Sequence, residues 1–79
     1  MTLRGYKVKE KVIKIREGEA YITLNVLLKI SGIISTGGQA KYYLLENEVI
    51  VNGELESRRG RKLYPNDEVI VENTKFIIK

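Results

Sequence analysis

Arg58, Arg59, Arg61 and Lys62 put four positive charges into five residues around Gly60. A guanidinium grips a phosphate with two parallel N–H donors in one plane, which an ammonium cannot do, so three arginines this close together point to phosphate recognition. Upstream, Ser35-Thr36-Gly37-Gly38-Gln39-Ala40-Lys41 reads as the start of a short helix, with Thr36 and Gln39 at the T-x-x-Q spacing of a capping box. Gly37 and Gly38 then fall on the first two helical positions. With no side chains there, the free N–H groups of the first turn stay open to an anion, which the positive helix end favours. Lys41 and Tyr42 point away from the apolar face of this helix, offering a cation and a ring to stack on an unpaired base or pack on a sugar. The chemistry is that of nucleic-acid binding. Simpler uses compete: the glycine pair also suits a tight turn, and Glu54 and Glu56 are alternative partners for the basic run. Exposed ion pairs contribute only about 0–1 kcal/mol, so removing the arginines is expected to cost little stability.

Catalysis is poorly served. The 79 residues include no Cys and no His, which removes thiol nucleophiles, disulfides, imidazole bases and nearly every zinc or haem ligand. Neither a G-x-x-x-x-G-K-[ST] loop nor a G-x-G-x-x-G turn occurs. Glu46, Glu48, Glu54 and Glu56 flank an expected hairpin without a partner base, a poor setting for general acid–base work. No enzyme activity, cofactor or metal is expected. The net charge of +4 favours acidic partners without identifying one. No apolar stretch approaches the roughly 18–20 residues of a membrane span, and residues 1–20 lack a signal-peptide pattern, so a cytoplasmic location is expected. A chain of this length, 43% apolar and 30% charged, suits one small globular domain.

The elements that must position these groups follow from periodicity. Tyr6 to Ile15 alternates apolar residues with lysines and slips after Glu10, as a strand with a bulge would. Its lysines are better explained as edge-strand protection than as RNA contacts. Arg16 to Glu19 reads as a turn into Ala20–Ile22, which completes an N-terminal hairpin. Thr23 then caps a first helix whose apolar stripe is Leu24, Leu27, Leu28 and Ile30, and Gly32 ends it in a left-handed conformation. In the second helix Ala40, Tyr43 and Leu44 share a face and Asn47 is the stop. Val49 and Val51 precede Asn52-Gly53, the signature of a type I′ hairpin. Pro65-Asn66-Asp67 marks another turn, before Val69 and Val71 and a closing strand from Phe76 to Ile78. Tyr21 and Tyr64 read as packing residues.

The ordered set L-N-x-x-L from Leu24, Gly32-Ile33, Ser35, Ala40-Lys41, Leu44, Val49-x-Val51-Asn52-Gly53 and Asp67-x-Val69 resembles the S4 (alpha-L motif) RNA-binding domain. Gly37 to Lys41 together with Arg58 to Leu63 is most similar to the small free-standing bacterial YaaA-like members. The resemblance covers Ile22 to Lys79. It implies an α+β fold, two short helices on a small antiparallel sheet, that binds structured RNA through the helix pair and the adjoining basic loop and catalyses nothing. Ribosomal RNA, in assembly or translation, is the partner it suggests. The implied contacts are Ser35, Thr36, Gly37, Gly38, Gln39, Lys41, Tyr42, Arg58, Arg59, Arg61 and Lys62. Two positions depart from the family pattern: Thr36 stands where an RNA-contacting Arg is usual, and Asn66 replaces a turn glycine. Residues 1–22 then form a basic hairpin extension to an RNA-binding unit at 23–79, in a cytoplasmic monomer. A protein-interaction adaptor, using the basic patch or an open sheet edge, and a DNA-binding module are the alternative readings.

Overall fold

The first helix forms where the sequence supplies both ends. The computed structural model describes residues 9–79, so Tyr6 and Val8 of the expected N-terminal strand lie outside the described residues. Helix α1 runs Leu24–Ile30, and the Thr23 hydroxyl accepts the N–H of Val26 at 3.3 Å. At its other end Gly32 adopts φ +83°, and the N–H groups of Gly32 and Ile33 donate to the carbonyls of Lys29 and Leu28. That paired pattern is a Schellman motif, which a left-handed glycine makes possible. Helix α2 spans Gln39–Glu46, and Asn47 ends it by donating both its backbone N–H and its side-chain amide to the Tyr43 carbonyl.

Among the described residues seven strands accompany the helices: β1 Lys9–Ile13, β2 Ile22–Thr23, β3 Ile50–Val51, β4 Glu54–Leu55, β5 Lys62–Leu63, β6 Glu68–Val71 and β7 Thr74–Ile78. Five form a sheet in the order β1-β7-β6-β3-β4, and β2 pairs with β5. Asn52 and Gly53 turn β3 into β4 with φ +50° and +86°, and Glu72-Asn73 turn β6 into β7 with φ +50° and +64°. Both turns need two left-handed residues in succession, which β-branched residues resist.

The α+β architecture with two helices on a small sheet is as expected, but the sheet is mixed. Among the described residues the expected N-terminal hairpin does not form. β1 lies parallel to β7, in register from Lys9↔Thr74 to Ile13↔Ile78, while β2 pairs antiparallel with β5. The turn at Arg16–Glu19 exists, with Gly18 at φ +92°, yet it leads Ile22 into the core instead of back along β1. β7 has a free edge once β6 is paired, and β1 satisfies those backbone groups. Lys9 and Lys11 therefore do sit on an edge strand.

The core joins Leu24, Leu27 and Leu28 of α1 and Ala40 and Leu44 of α2 to Val51, Leu63, Val69, Val71, Phe76 and Ile78 of the strands. Truncating any one of its large aliphatic side chains to Ala costs about 2–5 kcal/mol. Ile30, expected in the α1 stripe, is instead exposed. Six positions beyond Leu24 it falls off the i, i+3, i+4 face, and the helix ends before another turn could bury it.

Candidate nucleic-acid interface

The two segments singled out by chemistry meet at the first turn of α1. Leu24 and Asn25 donate their backbone N–H groups to the carbonyls of Arg61 and Arg59, each at 2.9 Å. These amides belong to a helix start and lack intrahelical acceptors, so the arginine loop acts as their cap. On the other side, the Asn25 side chain lies against Gly37, where an added Cβ would sit 3.3 Å from Asn25 Nδ2. Asn25 thus touches both the loop and Gly37, just before α2. Its Oδ1 is buried and has no hydrogen-bond partner among the described residues.

The start of α2 differs from the expected capping box in one half. Gly38, at φ −66° and ψ −23°, is the N-cap, and no side chain caps the helix. The Thr36 hydroxyl is displaced from that role because the turn tightens: Gln39 and Ala40 donate to the carbonyls of Thr36 and Gly37, three residues back. The other half of the box forms. Gln39 Oε1 accepts the N–H of Ser35 at 2.6 Å and of Thr36 at 3.1 Å. The N–H groups of Gly37 and Gly38 have no acceptor among the described residues. Lys41 and Tyr42 follow on the solvent side of the helix, with Tyr42 65% exposed.

The arginine run is not uniform. Glu56 accepts from Arg58 Nε at 2.9 Å, Arg58 Nη2 at 3.1 Å, Arg61 Nη1 at 2.7 Å and the backbone N–H of Arg58 at 2.9 Å. Two guanidiniums are therefore partly engaged by an internal carboxylate, which overturns the expectation that all three arginines can be removed at little cost. The cause is local: the N–H of Glu56 donates to the carbonyl of Val49 at 2.8 Å, drawing the carboxylate under the surface, where an unpaired charge is costly. The Arg58 hydrogen bonds lower the pKa of Glu56 to about 2, against the opposing effect of burial, with help from Arg61. The pairing orients Arg58 without hiding it, since 75% of its side chain remains exposed. Arg59 forms no side-chain bond or ion pair among the described residues. Lys62 Nζ stands 5.0 Å from the centre of the Tyr21 ring.

Glu56 and Asn25 were not among the expected site residues. The only sequence signal for Glu56 was its place between a hairpin and a basic run; for Asn25 it was the second position of a capped helix. Among the described residues, no cluster of three His, Cys, Asp or Glu side chains could hold a metal, and no helix is long and apolar enough to cross a membrane.

Comparison with known proteins bears on the whole unit. The chain is 53% identical over 51 residues, which cover 65% of it and 72% of the relative, to a Bacillus subtilis (strain 168) protein named probable ribosome maturation protein RlbA. A family model described as the S4 domain matches residues 13–79. That span takes in the capped α1, the glycine entry to α2, the Asn52-Gly53 hairpin and the arginine loop that Asn25 ties to them, and by that match the chain belongs to the S4 domain family.

Proposed function

We propose that this protein is a non-catalytic binder of structured RNA, acting on ribosomal RNA during ribosome maturation or translation. The observation that carries the reading is the junction at Asn25, whose backbone N–H holds the Arg59 carbonyl of the basic loop and whose side chain lies against Gly37 at the entry to α2. Amides, guanidiniums and Lys41 then present donors and positive charge to the phosphates of an RNA fold, recognised by its shape. Membership of the S4 domain family and the ribosome maturation name of the Bacillus subtilis relative support the same reading. Among the described residues the Arg59 and Lys41 side chains form no ion pair, and Arg58 reaches solvent from its seat on Glu56.

The test is binding of a fluorescent ribosomal RNA hairpin and of a DNA duplex of equal length, across a salt series. RNA should bind more tightly, with log K falling against log salt at a slope of about −2.7 to −3.6, as for three to four phosphate contacts once Glu56 has offset one charge. The double variant R59A/K41A should bind at least several-fold more weakly while unfolding at an unchanged temperature. A flat salt response, equal affinity for DNA, or full affinity in the double variant would refute the assignment. In cell extract, nuclease treatment should release the protein from a heavy particle; persistence in a protein complex would favour the adaptor reading.

A further inference from the structure

Beside the arginine loop, at the ends of the paired strands β2 and β5, two tyrosines read as packing residues are at the surface. Tyr21 is 36% exposed and Tyr64 45% exposed, with ring centres 5.6 Å apart and planes tilted by 55°. They come together because β2 and β5 pair Ile22 with Leu63, which sets the residues on either side of that pair next to each other. Lys62 covers the Tyr21 ring, whereas Tyr64 forms one wall of a shallow hollow of about 500 Å³ whose other walls are Arg58, Gly60, Arg61 and Lys62. Three cations face this hollow against the single carboxylate of Glu56, which is 7% exposed and sits behind the guanidiniums.

An aromatic wall and a cationic rim are the two halves of a nucleotide: a flat base with a π-face, and a phosphate. Single-stranded and looped nucleic acids are held this way, the ring supplying sequence-tolerant stacking and the charges tracking the backbone. Paired bases cannot use such a site, because their faces are already stacked on neighbours. We infer that the hollow bounded by Tyr64, Arg58, Arg61 and Lys62 receives one unpaired nucleotide, its base on Tyr64 and its phosphate on the guanidinium and ammonium groups. The inference rests on the RNA-binding reading and adds a preference to it: RNA with a bulged or looped base over continuous duplex.

The experiment uses the whole protein and two RNA hairpins of equal length and charge, one fully paired in its stem and one carrying a single bulged 2-aminopurine. In the wild type, the bulged RNA should bind about tenfold more tightly, and 2-aminopurine fluorescence should fall on binding as the base stacks. Tyr64→Leu should abolish the preference and the quenching while binding the paired hairpin as before; Tyr64→Phe should keep both. Equal affinity for the two hairpins, or fluorescence that does not fall in the wild type, would overturn the nucleotide site and leave the RNA reading intact. Failure to bind either hairpin would overturn both. The wild-type fluorescence decides the matter even if Tyr64→Leu fails to fold.

Discussion

The backbone N–H of Asn25 donates to the carbonyl of Arg59 at 2.9 Å, fastening the arginine loop to the start of the first helix. The bond runs through main chain on both sides, so the loop's position does not depend on what the Arg59 side chain is doing. That guanidinium stays free for a partner while its backbone is fixed. Loops that present charge from a fixed main chain lose less conformational freedom on binding than loops that must order first.

Glu56 makes stability depend on acid. Its folded pKa is lowered to about 2 from a carboxylate's ordinary 4.5, so its contribution is complete above pH 4.5 and lost as pH falls toward 2. Glu56→Gln should lower stability by about 1–2 kcal/mol at pH 7, with Arg58 largely in solvent limiting the loss, and should flatten the profile between pH 4.5 and 2. Urea unfolding at several pH values measures both. An unchanged acid limb in the variant would show that the ion pairs are not what holds the loop.

Tyr43 acts at the other end of the scale. Burial first, and then the hydrogen bond and charge of Glu72, whose carboxylate accepts the phenol at 2.5 Å, push its pKa well above the usual tyrosine range. A raised folded pKa stabilises below the unfolded value, near 10, and that stabilisation fades as pH rises beyond it. Wild-type stability should therefore decline above pH 10 more steeply than that of Tyr43→Phe, which urea titrations at pH 8 and 10.5 would reveal.

Gly37 and Gly38 should respond differently to alanine. Nothing lies within 4 Å of a Cβ at Gly38, whose φ of −66° suits any residue, so Gly38→Ala should stabilise by about 0.4–1 kcal/mol through the unfolded chain. At Gly37 the new methyl meets Asn25 Nδ2 at 3.3 Å, and Gly37→Ala should gain nothing while weakening RNA binding several-fold. Melting temperatures and hairpin affinities for the two variants separate the roles. Equal stabilisation by both would mean that Asn25 yields freely.

Asn52 is both a turn residue and a clasp. It stands at φ +50°, its Nδ2 donates to Asp67 Oδ1 at 3.1 Å, and its Oδ1 accepts the N–H of Glu68 at 2.9 Å. Asn52→Ala should cost about 2–3 kcal/mol, combining about 1 for a left-handed alanine with the loss of two hydrogen bonds. Asn52→Gly, which keeps the backbone freedom, should cost less. Chemical denaturation that ranks the two equally would place the whole effect in the side-chain bonds.

Much of this was legible because its physics is local. Thr23 and Gly32 mark the ends of α1 by their own conformational preferences, and Asn52-Gly53 and Asn66 announce left-handed turns, with Asn66 at φ +79°. Other features depend on partners distant in the chain. Nothing near β1 signals that it will run beside β7, and alternation alone cannot choose between a hairpin and a parallel pairing. The sequence offers Glu54 and Glu56 alike as partners for the basic run, and only the bond that draws the Glu56 backbone to Val49 decides between them. Tyr21 and Tyr64 each read as packing residues, and their meeting at the surface follows only from the pairing of β2 with β5.

The parallel marriage of β1 to β7 also bears on how the molecule assembles and breathes. Lys9 and Thr74, its first pair, are 65 positions apart, and four of the five β1 residues are exposed. Little apolar gain rewards so long a closure, so this seam should zip up after the rest has folded and come undone before it. Deuterium should then enter the amides of β1 well ahead of those of β6, under conditions where the molecule as a whole stays shut.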